Sequence, residues 1–432
     1  MIPTPTLESP PEDRLLADLH DLSRIVDPDK PGWSRQAFTA FDRDGRAFAR
    51  RRMAEAGLET WMDGAGNVFG LLRGTGAAGG RQIMIGSHTD TVESGGRFDG
   101  IVGVLGAIEV ARLLQESGVT LAHDLVVVVF FAEEANPFGL GCTGSAAITG
   151  VIRPHHLDRT DVDGRRMGDA LPDAGIEPEE FLRATYDFSK VTAFLELHIE
   201  QGPNLEAQGV QIGVVETITG FARFSALFRG RQDHAGTTPM DVRADACCAA
   251  AGTILAVERI AGDRPTSRGT CGMLTFTPMA VNVVTELAEV RGEFRSDSGT
   301  WLREAEQRIL EAATAEASTR GVEVEVETAA DGDPTPMTPG VMGTITSVAS
   351  ERGLSHARMF SGAGHDTQNI ALHTDVGMIF VPSVGGRSHC PEEFTETADL
   401  LRGVEVLLGS VVRIDAQNST VRNNTSPEGA TR

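Results

Sequence analysis

Seven consecutive apolar residues, Leu125-Val126-Val127-Val128-Val129-Phe130-Phe131, run almost directly into two adjacent acids, Glu133-Glu134. A β-branched run bounded by polar residues reads as a central strand buried on both faces, as in a sheet covered by helices. Neighbouring carboxylates at its end repel each other unless a cation or a shared proton relieves them. A plain surface turn is the competing explanation. Two further stretches repeat the pattern. Ile83-Met84-Ile85 is a short apolar strand that releases His88 and Asp90. A glycine-rich loop then reaches Asp99, and Val104, Leu105, Ile108, Ala111 and Leu114 follow near helical spacing. The strand Thr192 to Leu197 delivers His198 and Glu200-Gln201-Gly202. Open α/β sheets place their ligands at such strand ends. Imidazole with carboxylate, without thiolate, suits zinc, manganese, cobalt or nickel.

The 432 residues exceed one ordinary core. Helical spacing recurs over 12–22 and 37–56, and 58–72 reads as a strand or hairpin. Residues 151–190 are polar and turn-rich. The pattern changes near Thr217. Positions 220–230 alternate, a helix spans about Val242 to Ala261, and strands fall at 272–278 and 288–294. A second helix covers 300–320, and 322–326 alternates again. This strand–helix–strand–strand–helix–strand order resembles the ferredoxin-like arrangement and predicts an inserted α+β domain over 217–331. Residues 1–216 and 332–415 then form one α/β catalytic domain in two pieces, closed by a helix from Glu396 to Val412. Residues 1–11 and 416–432 lack apolar pattern and read as disordered.

Composition narrows the function. The formal charge is -23, and the densest basic cluster is Arg50-Arg51-Arg52. That balance argues against nucleic acid and anionic membranes as partners. The five cysteines are odd in number and include no CxxC pair, which argues against a disulfide framework or a zinc ribbon. Cys247-Cys248 read as buried small residues on a helix. The opening MIPTPTLESPPEDR has no secretory pattern, and no apolar run is long enough to span a bilayer. The expected location is cytoplasmic.

The motifs GSHTDTVESGGRFDG, AEE, LELHIEQGP, DHAGTTPMDVRAD, SGAGHD and PSVGGRSHCPEE occur in that order. With them, the chain from about 80 to 400 resembles the dinuclear metallo-amidohydrolases. The branch is that of N-carbamoyl-L-amino acid hydrolases, β-ureidopropionases and allantoate amidohydrolases. The resemblance implies a metallopeptidase-like catalytic domain with a mixed central sheet, and an inserted lid that also forms a homodimer. It implies two divalent ions per subunit (Zn2+, or Mn2+, Co2+ or Ni2+) on His88, Asp99, Glu134, His198 and His389, with Asp99 bridging. Glu133 becomes the general base, and Asp90 accepts the other imidazole N–H of His88. His234 resembles the histidine that stabilises the oxyanion. Asn282 and Arg295 match residues that hold the substrate carboxylate, and Gln201 and Gly364 match further substrate contacts. The chain departs from many relatives at Ala135-Asn136-Pro137-Phe138, where Gly-Ser-Arg-Phe is common, so this loop bears on substrate choice.

The implied reaction is hydrolysis of a linear amide or ureide C–N bond in a small carboxylate substrate. N-carbamoyl-L-amino acids come first, giving amino acid, carbon dioxide and ammonia. Allantoate or another ureido acid follows, then N-acyl amino acids or dipeptides. A non-catalytic relative is the alternative of another class, and the presence of Glu133 beside a full ligand set argues against it. A metal-free enzyme with Cys142 or Cys390 as nucleophile is a second. His365 is a further candidate for which a local hydrogen bond to the loop is the alternative, Asp366 is another candidate, and His20, His123, His155, His156, His356 and His373 read as surface residues or caps.

Overall fold

The computed structural model describes residues 10–420. Helices Glu12–Ser23 and Ala40–Glu55 precede an antiparallel hairpin of β1 (Glu59–Met62) and β2 (Val68–Leu72). β3 (Gln82–His88) leads into the helix Ile101–Glu116, then β4 (Asp124–Phe130), β5 (Val191–Ile199) and β6 (Ile212–Ile218). Next come β7 (Gly220–Arg229), the helix Ala246–Gly262, β8 (Arg268–Thr277), β9 (Leu287–Ser296), the helix Gly299–Arg320 and β10 (Glu323–Gly332). The short β11 (Thr335–Pro336), the helix Pro339–Glu351, β12 (His356–Ser361), β13 (Asp375–Val381) and the helix Thr397–Thr420 complete the chain. No helix among the described residues is long and apolar enough to cross a membrane.

The chain divides into two compact units. The first takes the residues up to Glu216, then Met337–Met359, then those from Gly364. Its mixed sheet has the order β1-β2-β4-β3-β5-β13-β6, with β12 beside β6. β4, β3, β5 and β13 lie parallel, and every residue of β4 and β5 is buried. The helix Ala40–Glu55 packs on β2 and β4, and Ile101–Glu116 packs on β3, β4 and β5. Burial of each large apolar side chain contributes roughly 1.5–3 kcal/mol, which is why an unbroken Val run is stable only in this position. The register pairs His88 with Phe130, and Phe380 with His198. Parallel pairing therefore brings the carboxyl ends of four strands to one edge, and the acids and imidazoles follow from those ends.

The second unit comprises Thr217–Pro336 with Phe360–Ala363. Its antiparallel sheet runs β10-β7-β9-β8, the ferredoxin-like order. Ala222, Phe224, Ala226 and Phe228 alternate into a core with Val257, Ile260, Val290 and Phe294. Here the period of two in the sequence and the buried face agree.

Several expectations need correction. The first helix of the second unit starts at Ala246, not near Val242, because the Asp245 carboxylate caps the N–H groups of Cys247 and Cys248. Its buried face is Ala246, Ala249, Ala250, Thr253 and Val257, so Cys247 is half-buried and Cys248 exposed rather than both buried. The final helix continues through 416–420, a stretch expected to be disordered. Asp415 anchors it by accepting from the N–H groups of Ala122 and His123 and pairing with the His123 ring. His123 is thus buried rather than at the surface. Residues 1–9 and 421–432 of the expected disordered ends lie outside the described residues. The helix Pro339–Glu351 and β12 are the helical and strand segments after the Pro-rich stretch, and β6 has no bounding pattern in the sequence.

Candidate active site

Asp99 is the centre of the sheet edge. It precedes Gly100, whose φ of +68° opens the helix Ile101–Glu116. A Cβ at Gly100 would lie 2.3 Å from His88 Nε2, so only glycine allows this approach. The two oxygens of Asp99 face different partners. Oδ1 is 3.1 Å from His198 Nε2 and 3.6 Å from His88 Nε2. Oδ2 is 3.3 Å from His389 Nε2 and accepts from Gln201 Nε2 at 2.6 Å. The adjacent acids diverge to opposite sides. Glu133 Oε2 is 3.5 Å from His88 Nε2, whereas Glu134 Oε1 is 3.6 Å from His389 Nε2. The left-handed Ala132, at φ 51°, aims this turn. Gln201 and His389 are left-handed as well, at 59° and 56°, and such conformations persist in non-glycine residues where surroundings over-determine them.

The imidazoles are oriented from behind. His88 Nδ1 lies 3.1 Å from the main-chain oxygen of Asp90, and His198 Nδ1 lies 2.9 Å from that of Ile199. Each ring therefore turns Nε2 inward, the arrangement of a metal-binding histidine. The Asp90 carboxylate is farther from His88, at 3.5 Å. It accepts instead from the N–H groups of Glu133 and Glu134, at 3.2 and 3.1 Å. Asp90 thus ties the end of β3 to the turn after β4.

The charge balance calls for a cation. His88, Asp90, Asp99, Glu133, Glu134 and His198 are all buried. Burial, with the charges of Glu134, Asp366 and Asp90, pushes the Glu133 carboxyl well above its usual range. Burial and Asp99 push Glu134 up to about 7. Burial opposes ionisation of Asp99 too, yet His198, His389 and His88 around it hold it well below the ordinary carboxylate range. His88 Nε2 is buried with no hydrogen-bond partner. Its lone pair and the surrounding carboxylate oxygens are spaced as ligands around an ion. His88, Asp99 and His198 form one group able to hold a metal ion, and Asp99, Glu134 and His389 form another, the donor atoms in each lying within 4.8 Å. All are nitrogen or oxygen donors, which fits the borderline and hard divalent metals.

Gln201, expected to touch substrate, lies against Asp99 and His389. Gly364 is in the exposed loop that follows β12. In the second unit, His234 bridges to Val283, and Ala235 N–H donates to the Asn282 carbonyl. His234 and Asn282 are therefore neighbours, both exposed. His234 Nδ1 accepts from Gly236 N–H, which leaves Nε2 as the protonated nitrogen of the neutral ring. Arg295 donates from Nε to Glu293 and from Nη1 to the Gly362 carbonyl. In the variant loop, Asn136 Oδ1 accepts from Phe138 N–H, and Phe138 packs edge-on against Phe38. Cys142 is buried and its thiol is pushed well above the usual range, which disfavours a thiolate nucleophile.

Glu196 and Glu393 were not singled out in the sequence. Glu196 accepts from Ser87 and Thr367 beneath the site. It stands two residues before His198, on the same strand face, and that spacing is the signal that could have found it. With His198 and His365 it makes a third group of ligand-type residues, but its oxygens are taken by those hydroxyls.

Residues 84–413 match the peptidase family M20/M25/M40. The N-carbamoyl-L-amino-acid amidohydrolase of Paenarthrobacter aurescens is 36% identical over 95% of this chain and 100% of its own length. The allantoate amidohydrolase of Bacillus subtilis is 33% identical over 87% of this chain and 91% of its own. A solved amidase of the hydantoinase/carbamoylase family from Burkholderia multivorans superposes with a TM-score of 0.86, at 32% identity, over 95% of this chain and 99% of that one.

Proposed function

The chain belongs to the peptidase family M20/M25/M40, and from this we propose that it hydrolyses the carbamoyl group of an N-carbamoyl-L-amino acid, releasing amino acid, carbon dioxide and ammonia. The observation that carries the reading is Asp99, with one oxygen toward His88 and His198 and the other toward His389. Two divalent ions would be held there, one by His88, Asp99 and His198, the other by Asp99, Glu134 and His389. Such a pair would polarise the scissile carbonyl and lower the pKa of a bound water. Glu133 takes the proton of the attacking water and passes it to the leaving nitrogen. Asp90 holds the N–H groups of both glutamates and so fixes their divergence.

The second unit would act as lid and dimerisation domain. His234 would donate from Nε2 to the oxygen on which charge develops. Arg295 and Asn282 would grip the substrate carboxylate, since a planar guanidinium suits a two-point hold. Gln201 and Gly364 would complete the substrate contacts. Arg295→Ala should raise the Michaelis constant for carbamoyl amino acids at least tenfold, about 1.4 kcal/mol, with a smaller change in turnover. Unchanged constants would place the carboxylate grip elsewhere.

The reading is tested by ammonia release from N-carbamoyl-L-amino acids, N-carbamoyl-β-alanine and allantoate, using metal-stripped protein restored with zinc, manganese, cobalt or nickel. Release from a carbamoyl amino acid only after restoration is expected. Release confined to allantoate would favour the reading that the Bacillus subtilis relative supports. No release from any ureide would transfer the assignment to N-acyl or peptide substrates.

A further inference from the structure

Glu393 faces none of the candidate ligand nitrogens, yet it is 2% exposed and every donor near its carboxylate belongs to a ligand-bearing loop. Oε1 accepts from the N–H groups of Phe98 and Asp99, at 2.9 and 3.1 Å. Oε2 accepts from Ser388 Oγ at 2.7 Å and from His389 N–H at 3.4 Å. One buried carboxylate thus joins the loop that presents Asp99 to the loop that presents His389, nearly three hundred residues away in sequence. It also supports His389 in its left-handed backbone, where the residue does not stay unaided.

Two details show how the surroundings are fitted to this side chain. The side chain passes over Gly96, where an added Cβ would lie 2.1 Å from Oε1. Glycine at 96 is what leaves room for it. Ser388 has a single O–H, and it stands between Glu393 Oε2 and Asp99 Oδ2, the latter at 3.1 Å. The shorter contact is to Glu393, which draws the Ser388 proton away from Asp99 Oδ2, an oxygen that already accepts from Gln201 Nε2. A carboxamide would reverse this. With its NH2 group toward Ser388, the hydroxyl would turn its proton to Asp99 Oδ2, which would then carry a second donor beside Gln201.

We infer that Glu393 is a positioning residue that keeps Asp99 Oδ2 and His389 available as ligands, and so controls occupancy of the Asp99–Glu134–His389 side. The inference rests on the two-ion reading above. Its test is calorimetric titration of metal-stripped full-length protein with zinc or manganese, with melting of the metal-free protein measured alongside. Wild type should take two equivalents. Glu393→Gln should keep the tighter or weaker class that belongs to His88 and His198 within about threefold and weaken the other by about 10–100-fold, the usual effect of losing a partner behind a ligand. Gly96→Ala, which displaces the carboxylate without touching a ligand, should show the same selective loss. It also serves as the test if Glu393→Gln does not fold.

Loss in one class alone is a result that general destabilisation does not produce. Two unaltered classes in both variants would overturn the inference and leave the two-ion reading standing. Equal weakening of both classes, with a lower melting temperature of the metal-free protein, would also overturn it, reducing Glu393 to a structural residue. A wild type that takes one equivalent would overturn the two-ion reading and the inference with it.

Discussion

Glu133→Gln should retain metal and lose turnover by about 10²–10⁴-fold, the range expected when a general base is removed. The substitution keeps volume and removes only the proton acceptor. The Asp90 contacts to the main chain of Glu133 and Glu134 do not depend on the Glu133 side chain, so Glu134 stays where it is. Metal content by elemental analysis should match wild type, and the Michaelis constant should move less than turnover. The position of Glu133 makes the outcome informative. Its Oε2 stands 3.5 Å from His88 Nε2, within reach of a ligand's position as well as a base's. A variant that loses metal along with turnover would assign it that role, and near-normal turnover would remove it from the chemistry.

Asp99→Asn should have the larger effect on metal. Asparagine keeps the shape, but one side of the group becomes an NH2 donor and the negative charge is gone. His88 and His198 lose their shared anionic partner, or His389 does, and charge neutralisation is lost for both sides. Replacing a group behind a ligand costs roughly 10–100-fold in affinity, so loss of a shared ligand should cost at least about 100-fold. The consequence is visible without substrate. At an ion concentration 100 times the dissociation constant, bound metal stabilises the fold by about 2.7 kcal/mol. Wild type should therefore melt higher with metal than without, and Asp99→Asn should show little difference. A variant with two full equivalents and an unreduced shift would remove Asp99 from the centre of the site.

The residues that could be read in advance are those whose chemistry is visible in one dimension. The Val run of β4 is apolar at every position because both faces are covered, and Glu133-Glu134 stands out against it. The alternation Ala222, Phe224, Ala226, Phe228 shows a strand with one buried face. Hydropathy assigns Val242 to the helix that starts at Ala246, four residues later, and only the Asp245 cap decides otherwise. His123 reads as a surface residue for a similar reason, since its partner Asp415 comes from the last helix.

The proposed ligand set was legible only through the resemblance that the motifs carry, while strand periodicity and the unbroken β4 run by themselves determined the α/β class and the second α+β unit. These are properties of local pattern, since burial on two faces, on one face, or on a helical stripe leaves a different period in the chain. Tertiary structure alone decided how those residues are used. The parallel register of β3, β4, β5 and β13 gathers separate strand ends at one edge. There Asp99 turns its two oxygens to different imidazoles, the neighbouring glutamates part, and Asp90 reaches their N–H groups in place of the His88 ring. Glu393 and Ser388 acquire their meaning only because the loop around 98 and the loop around 389 meet. Orientation and long-range proximity are set by the packing of the whole sheet, and a linear sequence carries no period that encodes them.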